Sequence, residues 1–577
     1  MVDFRKMMLL MVVLVLSAGF ASAQFLNTLQ CVANAGVPPP VRAEGLAEEV
    51  GQVTITCTGG NPTTIGATIP TVNVQIFLST NITSRLLSAT ASEAMLLIDE
   101  PGSIQNPVTQ LLCGAPGNCP ITAASSIGVG NYTGVAGRPN VWQAVKAGEN
   151  SVVWLGVPVD PPGTSGNRVL RLTNVRADAA SVGVSSTLIP SNIIMYITIS
   201  GTGSLPLANN VLNVAYVAKG MDFEATGGNF NQCEPGTYDY SITYSEKFGT
   251  AFRNNNPNNA VPPTAQSAPG TIYNTESMWS NSTVVTSAGV ATQGTRLIAS
   301  FTNVPANIKL AVDNGATNSD GDIANIVASA LSDGSGSSPS YTGLATGTTT
   351  VLASTGSVGS AYAVWEVIAS NPGAISELTF NVYVTYLSSP LPGLGTASVA
   401  GNYAPVSTVN VMSQTAPVPR FRLDPQSATT FTINPCQTNL LFPYVTNYTG
   451  YDTGIAISNT TADPYSTPDQ QGACEIYYYG WMENGSSAPA TQTSTVVEPG
   501  KQLVFTLSLG NSTANIAATP GFTGYMIARC RFQYAHGYAF ISDPGTKVFA
   551  QGYIALVLDQ PLGNWTGTPP PATMKSL

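Results

Sequence analysis

Charge is what this chain has least of. Lys, Arg, Asp and Glu make up 9% of its 577 residues, against about 25% in ordinary globular domains. With 21 basic and 31 acidic residues the net charge is −10, so no basic patch is on hand to neutralise phosphates and nucleic acid is excluded as a partner. Histidine is scarcer still, His536 being the only one. That rules out an HExxH zinc site and obliges any serine triad to use His536. Neither a GxSxG elbow nor a GxxxxGK[ST] phosphate loop occurs. After the N-terminus no window approaches the ~18 uninterrupted apolar residues of a membrane-spanning helix. A long helical period is missing as well.

What is present begins with MVDFRKMMLLMVVLVLSAGFASAQF. Arg5 and Lys6 precede an apolar run from Met7 to Leu16, and small residues end at Ala21-Ser22-Ala23, the pattern of a secretory signal cut after Ala23. Gln24 instead of Cys follows the cut, so lipidation is not expected. In an exported chain the eight cysteines read as disulfides. Pairing of neighbours gives Cys31–Cys57, Cys113–Cys119 and Cys474–Cys530. Cys233–Cys436 is what remains of about 105 possible arrangements, and is expected to join the start of the second module to the start of the third.

Strands are expected throughout. Val72-Asn73-Val74-Gln75-Ile76-Phe77-Leu78 alternates with a period of two, as do 53–57, 151–157, 169–175, 193–199, 211–217, 295–301, 362–368, 378–386 and 552–558. Gly, Pro, Asn and Asp punctuate them, so the fold class is all-β: tandem antiparallel β-sandwich modules of Ig-like type, stapled by disulfides. The divisions fall at 1–23 for the signal, 24–219 for the N-terminal sandwich, 220–420 for a middle β-rich module, 421–561 for the C-terminal sandwich and 562–577 for a tail. Pro417 and Pro419 in SQTAPVPRF mark an extended linker between the second and third.

The segments LQCVANAGVPPPVRAEGLAEEVGQVTITCTGG, SVVWLGVPVDPPGTSGNRVLRLTNVRA, LLFPYVTNYTGYDTGIAISNTTADP and GFTGYMIARCRFQYAHGYAFISD resemble a group of secreted all-β proteins of acidobacterial type to which no activity is assigned. The resemblance covers the first and third modules well and the second poorly. It implies export, a bacterial source and all-β modules, and it carries over no catalytic residue.

Candidate chemistry is sparse. Cys530 lies six residues before His536, and an extended chain holds them ~20 Å apart, so a thiol–imidazole dyad is not expected. Paired carboxylates, as in a glycosidase, would draw on Asp99, Glu100, Glu475 and Glu483. The loop AVDNGATNSDGDIAN offers Asp313, Asn318, Asp320 and Asp322 as oxygen ligands for Ca²⁺, yet Ile323 and Ser329 stand where an EF-hand needs Gly and Glu, which favours a plain turn. On a strand whose Cys474, Ile476 and Tyr478 face the core, Tyr477, Tyr479 and Trp481 face outward as a binding platform. Sequons begin at Asn81, Asn131, Asn281, Asn447, Asn459, Asn484, Asn511 and Asn564, and a bacterial source leaves them unused.

The reading that follows is a secreted, non-catalytic structural or adhesive protein at the cell surface. Its partners would be further copies of itself or other surface and matrix components. Apart from the weak Ca²⁺ pattern no cofactor is expected. The alternative is carbohydrate binding by Tyr477, Tyr479 and Trp481, followed by a glycan-active enzyme.

Overall fold

The computed structural model describes residues 28–558 apart from 100–108, 126–129, 186–189, 202, 204, 256–274, 282, 346–348, 356, 388–391, 466, 468 and 547. The expected signal and tail, Glu100 and the sequon at Asn564 lie outside the described residues. Every named element of the described residues is a strand, and the chain is all-β. The strand Thr71–Leu78, TVNVQIFL, shows why: half-buried and buried residues alternate without a break, and its β-branched and aromatic side chains fit a pleated surface with one covered face.

Eleven strands of the first module form one sheet. Its strand order places Leu207–Ala208 at one end and Val211–Ala218 next to the other, although only Asn209 and Asn210 separate them. A flat sheet would hold the two roughly 40 Å apart at ~4.8 Å per strand, whereas three residues reach only ~10 Å. The sheet is therefore rolled around a single core that includes Val74, Trp154, Leu172 and Ile197. Asn209 makes the corner in the left-handed region, at a φ of 57°, which asparagine tolerates.

The second module is a sandwich of a five-stranded and a seven-stranded sheet. Its core closes where Trp365 of one layer stacks on Phe380 of the other, with ring centroids 4.1 Å apart. The third packs a five-stranded sheet against a four-stranded one, around Leu440, Phe442, Ile457, Met526 and their neighbours.

One boundary and the linker at it differ from expectation. The strand Gln426–Asn434 pairs with Gly395–Ala404 and, in parallel, with Gly228–Asn231. Its Phe431 and Ile433 belong to the middle core, so the third module begins at Thr438 and not at 421. The expected linker is not one either: Val418, Arg420 and Phe421 are buried, and the segment leading to them sends Met412 into the first core. Four disulfides join Cys31 to Cys57, Cys113 to Cys119, Cys233 to Cys436 and Cys474 to Cys530. Because Cys436 follows the last strand of the middle module, the third of these bonds ties the two ends of one module instead of linking two. Cys31–Cys57 and Cys474–Cys530 bridge directly opposed residues of neighbouring strands, unlike the bond between layers of an immunoglobulin domain.

The first two modules are interlocked. Trp279 and Ala288 of the second pack on Met95, Leu97 and Val141 of the first. Beside them the charge-poor chain buries its charges: Arg42, wholly buried, pairs with Glu48 at 2.7 Å and with Glu276 at 2.8 Å. The same guanidinium donates to the Ala251 carbonyl and the Thr295 hydroxyl, and its face lies 4.7 Å from the Phe421 ring centroid. Arg176 pairs with Glu93 at 3.4 Å and donates to the Glu276 carbonyl oxygen at 2.5 Å. Buried charges persist only when paired and hydrogen-bonded in this way.

Two carboxyls here respond to pH. Burial pushes Glu49 up to about 8, against the pull of Arg176 and Arg253. Glu246, which accepts from the Phe252 and Ser376 amides, is pushed up to about 7, again mainly by burial. Both folded values lie above the ~4.3 of an unfolded glutamate, so their contribution to stability is complete below that value and is lost as pH rises through 7 and 8. Neither of these modules contains histidine. The melting midpoint of the two-module unit is expected to fall between about pH 5 and about pH 8 and to level off above that, and Glu49→Gln is expected to flatten the fall. A midpoint that held level or rose across that window would contradict it.

Candidate binding face

The outer face of the third module carries the residues that sequence singled out. The strand Cys474–Met482 pairs along its length with Phe522–Cys530. Cys474, Ile476 and Tyr478 point into the core, so the alternate residues Glu475, Tyr477, Tyr479 and Trp481 line the opposite face over ~20 Å of strand. Gly480 and Gly524 sit opposite each other in this ladder. A Cβ at Gly480 would lie 2.1 Å from the Thr523 carbonyl, and one at Gly524 would lie 2.0 Å from that of Tyr479. Only glycine lets the two backbones close here.

The row changes character along its length. At one end Glu475 pairs with Arg529 and with Arg531, and hydrogen bonds from Arg531, the Tyr477 hydroxyl and Arg529 hold its carboxyl down at about 2. Tyr477 lies beneath the Arg529 guanidinium, 5.3 Å from ring centroid to cation, and is half-buried. Next, Tyr479 stacks on its cross-strand partner Tyr525, with centroids 4.9 Å apart and planes 13° off parallel. Trp481 follows, 47% exposed, with Tyr448 edge-on against it at 5.3 Å.

Beyond Trp481 the strand runs into a cleft. Met482, Glu483 and Asn484 line it together with Asn447, Thr449, Tyr451, Asp452 and Ser508. The Asp452 carboxylate accepts from Asn447 Nδ2 at 3.0 Å, from the Thr453 and Ser508 amides at 2.9 and 3.1 Å, and from the Ser508 hydroxyl. The Asn447 Oδ1 accepts from the Gly521 amide at 2.9 Å. Sequence reading found Tyr477, Tyr479 and Trp481 but missed Tyr448 and Asp452, whose only local signal is a turn-rich stretch, NYTGYD. Glu483, a candidate for the paired carboxylates, lies in the cleft, while Glu475 is engaged with Arg529 and Arg531 at the other end of the row.

The other candidates separate. The strand Phe522–Cys530 ends at the cysteine, and the chain turns before His536 at Tyr534, with a φ of 57°. Cys530 is disulfide-bonded in one sheet, and His536 stands opposite Ser458 in the other. Asp99 pairs with Arg168. In the acidic loop Asn318 Oδ1 accepts from the Asp320 and Asp322 amides. Asp322, buried, accepts from the Asn371 amide at 2.6 Å. Asp313 is committed elsewhere, to Asn381 and the Tyr383 hydroxyl. The four do not gather around one point, and among the described residues no group of three or more His, Cys, Asp or Glu could hold a metal ion.

No protein-family model matches the chain, and no curated protein matches it significantly. Among solved structures it is similar to the full-length major pilin SpaD from Corynebacterium diphtheriae, at 7% identity over 90% of this chain and 88% of that one, with a TM-score of 0.18. The major pilin subunit BcpA of Bacillus cereus gives 7% identity over 84% and 94%, with a TM-score of 0.19. The Escherichia coli adhesin FdeC gives 10% over 91% and 96%, with a TM-score of 0.15. Similarity at this level shows neither a shared topology nor a shared function.

Proposed function

We propose that this is an exported structural or adhesive protein of the cell exterior. Its first two modules act as one rigid body, and the third presents aromatic faces to further copies or to other surface components. The observation that carries this reading is the exposure of apolar side chains on both outer faces of the third module. Tyr479, Trp481 and Tyr525 stand on one face, and Val504, Tyr538, Phe540 and Ile554 on the other, each at least 42% exposed. Contiguous apolar surface of this kind marks contact sites in exported proteins. Few charges guard the strand edges, and charge is a usual defence against edge pairing.

The purified mature chain is expected to form ordered polymers or sheets in negative-stain microscopy, with a matching rise in mass by light scattering. Trp481→Ala combined with Tyr479→Ala is expected to lower the assembled fraction at least severalfold, with the monomer's melting midpoint within a few degrees of the parent. A chain that stays monomeric at high concentration would remove self-assembly, and unchanged assembly in the double variant would remove this face as the contact.

A further inference from the structure

We infer that the outer edge of the strand Ala550–Ile554 pairs with the same strand of a second copy of this chain, the two running antiparallel about a two-fold axis at Gly552. The inference rests on the assembly reading above and names one of its contacts. Ala550–Ile554 ends the four-stranded sheet of the third module and pairs with Ala535–Ser542 alone. On that side the Asp543 amide donates to the Phe549 carbonyl at 3.1 Å, and the Ala555 amide to the Gly537 carbonyl at 2.8 Å. Bonding in an antiparallel ladder alternates, so Gln551 and Tyr553 also turn their backbone groups inward. The amides and carbonyls of Ala550, Gly552 and Ile554 therefore face outward, and among the described residues no hydrogen bond takes them up.

Two other edges of the module are plugged. On Gln502–Thr506 the Val504 carbonyl accepts from Asn511 Nδ2 at 2.6 Å, and the Thr506 carbonyl from the Gly510 amide at 2.8 Å. On Gln492–Thr493 the Thr493 carbonyl accepts from Asn515 Nδ2 at 2.9 Å. The open edge has no such cap and no charge: Val548 to Leu558 reads VFAQGYIALVL, without the lysine or proline that usually keeps an edge from pairing. It is also ordered in advance, because the half-buried Tyr553 donates its hydroxyl to the Tyr444 carbonyl, which spares a partner that entropic cost.

The strand is its own complement. With Gly552 opposite Gly552, Ile554 of each copy stands opposite Ala550 of the other, a large side chain against a small one. These residues share the outer face with their cross-strand partners Ser542, Phe540 and Tyr538, and Ile554 is 73% exposed there. A Cβ at Gly552 would meet the Tyr538 hydroxyl, so the ring already reaches over the axis position and only glycine leaves it room. Three opposed pairs that each exchange two bonds satisfy all the outward amides and carbonyls of both strands. The chain carries a net charge of −10, so two copies repel one another overall. This edge lets them meet where no charge stands, whereas a charged partner strand would set an uncompensated charge beside Ile554 and Tyr538.

The test places one added cysteine in each copy of the whole mature chain. Opposed residues of such a ladder have Cα atoms ~5.5 Å apart, within reach of a disulfide, whereas position 550 lies about 13 Å along the strand from position 550 of the second copy. Under mild oxidation an equimolar mixture of Ala550→Cys and Ile554→Cys is expected to give at least tenfold more covalent dimer on non-reducing gels than either variant alone. Ala550→Pro removes an amide from the open edge and none from the ladder with Ala535–Ser542. It is expected to reduce association in light scattering at least severalfold, with the melting midpoint within a few degrees of the parent. Polymers that form while the mixture cross-links no more than the single variants would overturn the edge pairing and leave the assembly reading standing. Cross-linked dimers that never grow further would uphold the pairing and remove polymer formation. The amides of Ala550, Gly552 and Ile554 are expected to exchange hydrogen fast in the dilute monomer and slowly when concentrated. Slow exchange in the monomer would assign the edge to residues of the same chain and overturn the inference.

Discussion

Arg42→Ala is expected to destabilise the joined first and second modules by about 3–5 kcal/mol, the loss seen when one partner of a buried ion pair is removed. The reason lies in what is left behind. Glu48 and Glu276 both point at the Arg42 guanidinium, and without it two carboxylates would share a dry site. Domains hold only ~5–15 kcal/mol in total, so a loss of this size takes much of the margin. Arg42→Lys keeps the charge but not the planar fork that reaches Glu48, Glu276, Thr295 and the Ala251 carbonyl together, and an intermediate loss is expected. Removing all three charges, by Arg42→Met with Glu48→Leu and Glu276→Leu, is expected to recover most of the stability. Chemical denaturation followed by tryptophan fluorescence reads each value. A loss below ~1 kcal/mol for Arg42→Ala would show that water reaches the site and that the lock between the modules is not electrostatic.

The paired substitution Cys233→Ser/Cys436→Ser is expected to rank with it. That bond closes a loop of 203 residues and Cys474–Cys530 one of 56, while Cys31–Cys57 closes 26 and Cys113–Cys119 only 6. In the chain-entropy account the corresponding losses are about 5, 4, 3.5 and 2 kcal/mol. The order is the sharper expectation, because each bond is compared with its siblings in one protein. Should the shortest loop prove the most costly to open, loop closure would not be the source of the stability.

Much of the fold was legible because its signals are local. A period of two marks Thr71–Leu78 and Cys474–Met482 in the sequence itself, and one cysteine known to face inward at 474 assigns the facing of Tyr477, Tyr479 and Trp481. Pairing of sequence neighbours gave the right cysteine partners, though Cys436 was placed in the wrong module. The errors come from burial that depends on distant residues. Val418, Arg420 and Phe421 lie between and beside prolines and read as a linker, yet each is covered by parts of the chain far away in sequence. Arg42 and Glu276 are 234 positions apart, and nothing near either one announces the other. The cleft was illegible for the same reason. Asp452 opens one strand while Ser508 and Asn484 lie in two separate turns, and only the pairing of strands brings them to the end of the aromatic row.

Under tension, the Cys233–Cys436 bond takes the middle module out of the path of the force. A pull applied along the molecule crosses from 233 to 436 through sulfur, so the 203 positions of separation carry no tension and the middle sandwich keeps its length while the covalent bond lasts. The third module is strung differently. Its first strand, Thr438–Thr446, lies antiparallel to its last, Leu556–Leu558, with Asn439 opposite Leu558, so the chain enters and leaves at the same end. Force there opens the ladder one rung at a time, like a zip, until Cys474–Cys530 takes up the strain. Within the third module extension under load is thus confined to residues 438–473 and 531–558, so the module that presents the contact faces yields at both of its ends while its middle stays closed.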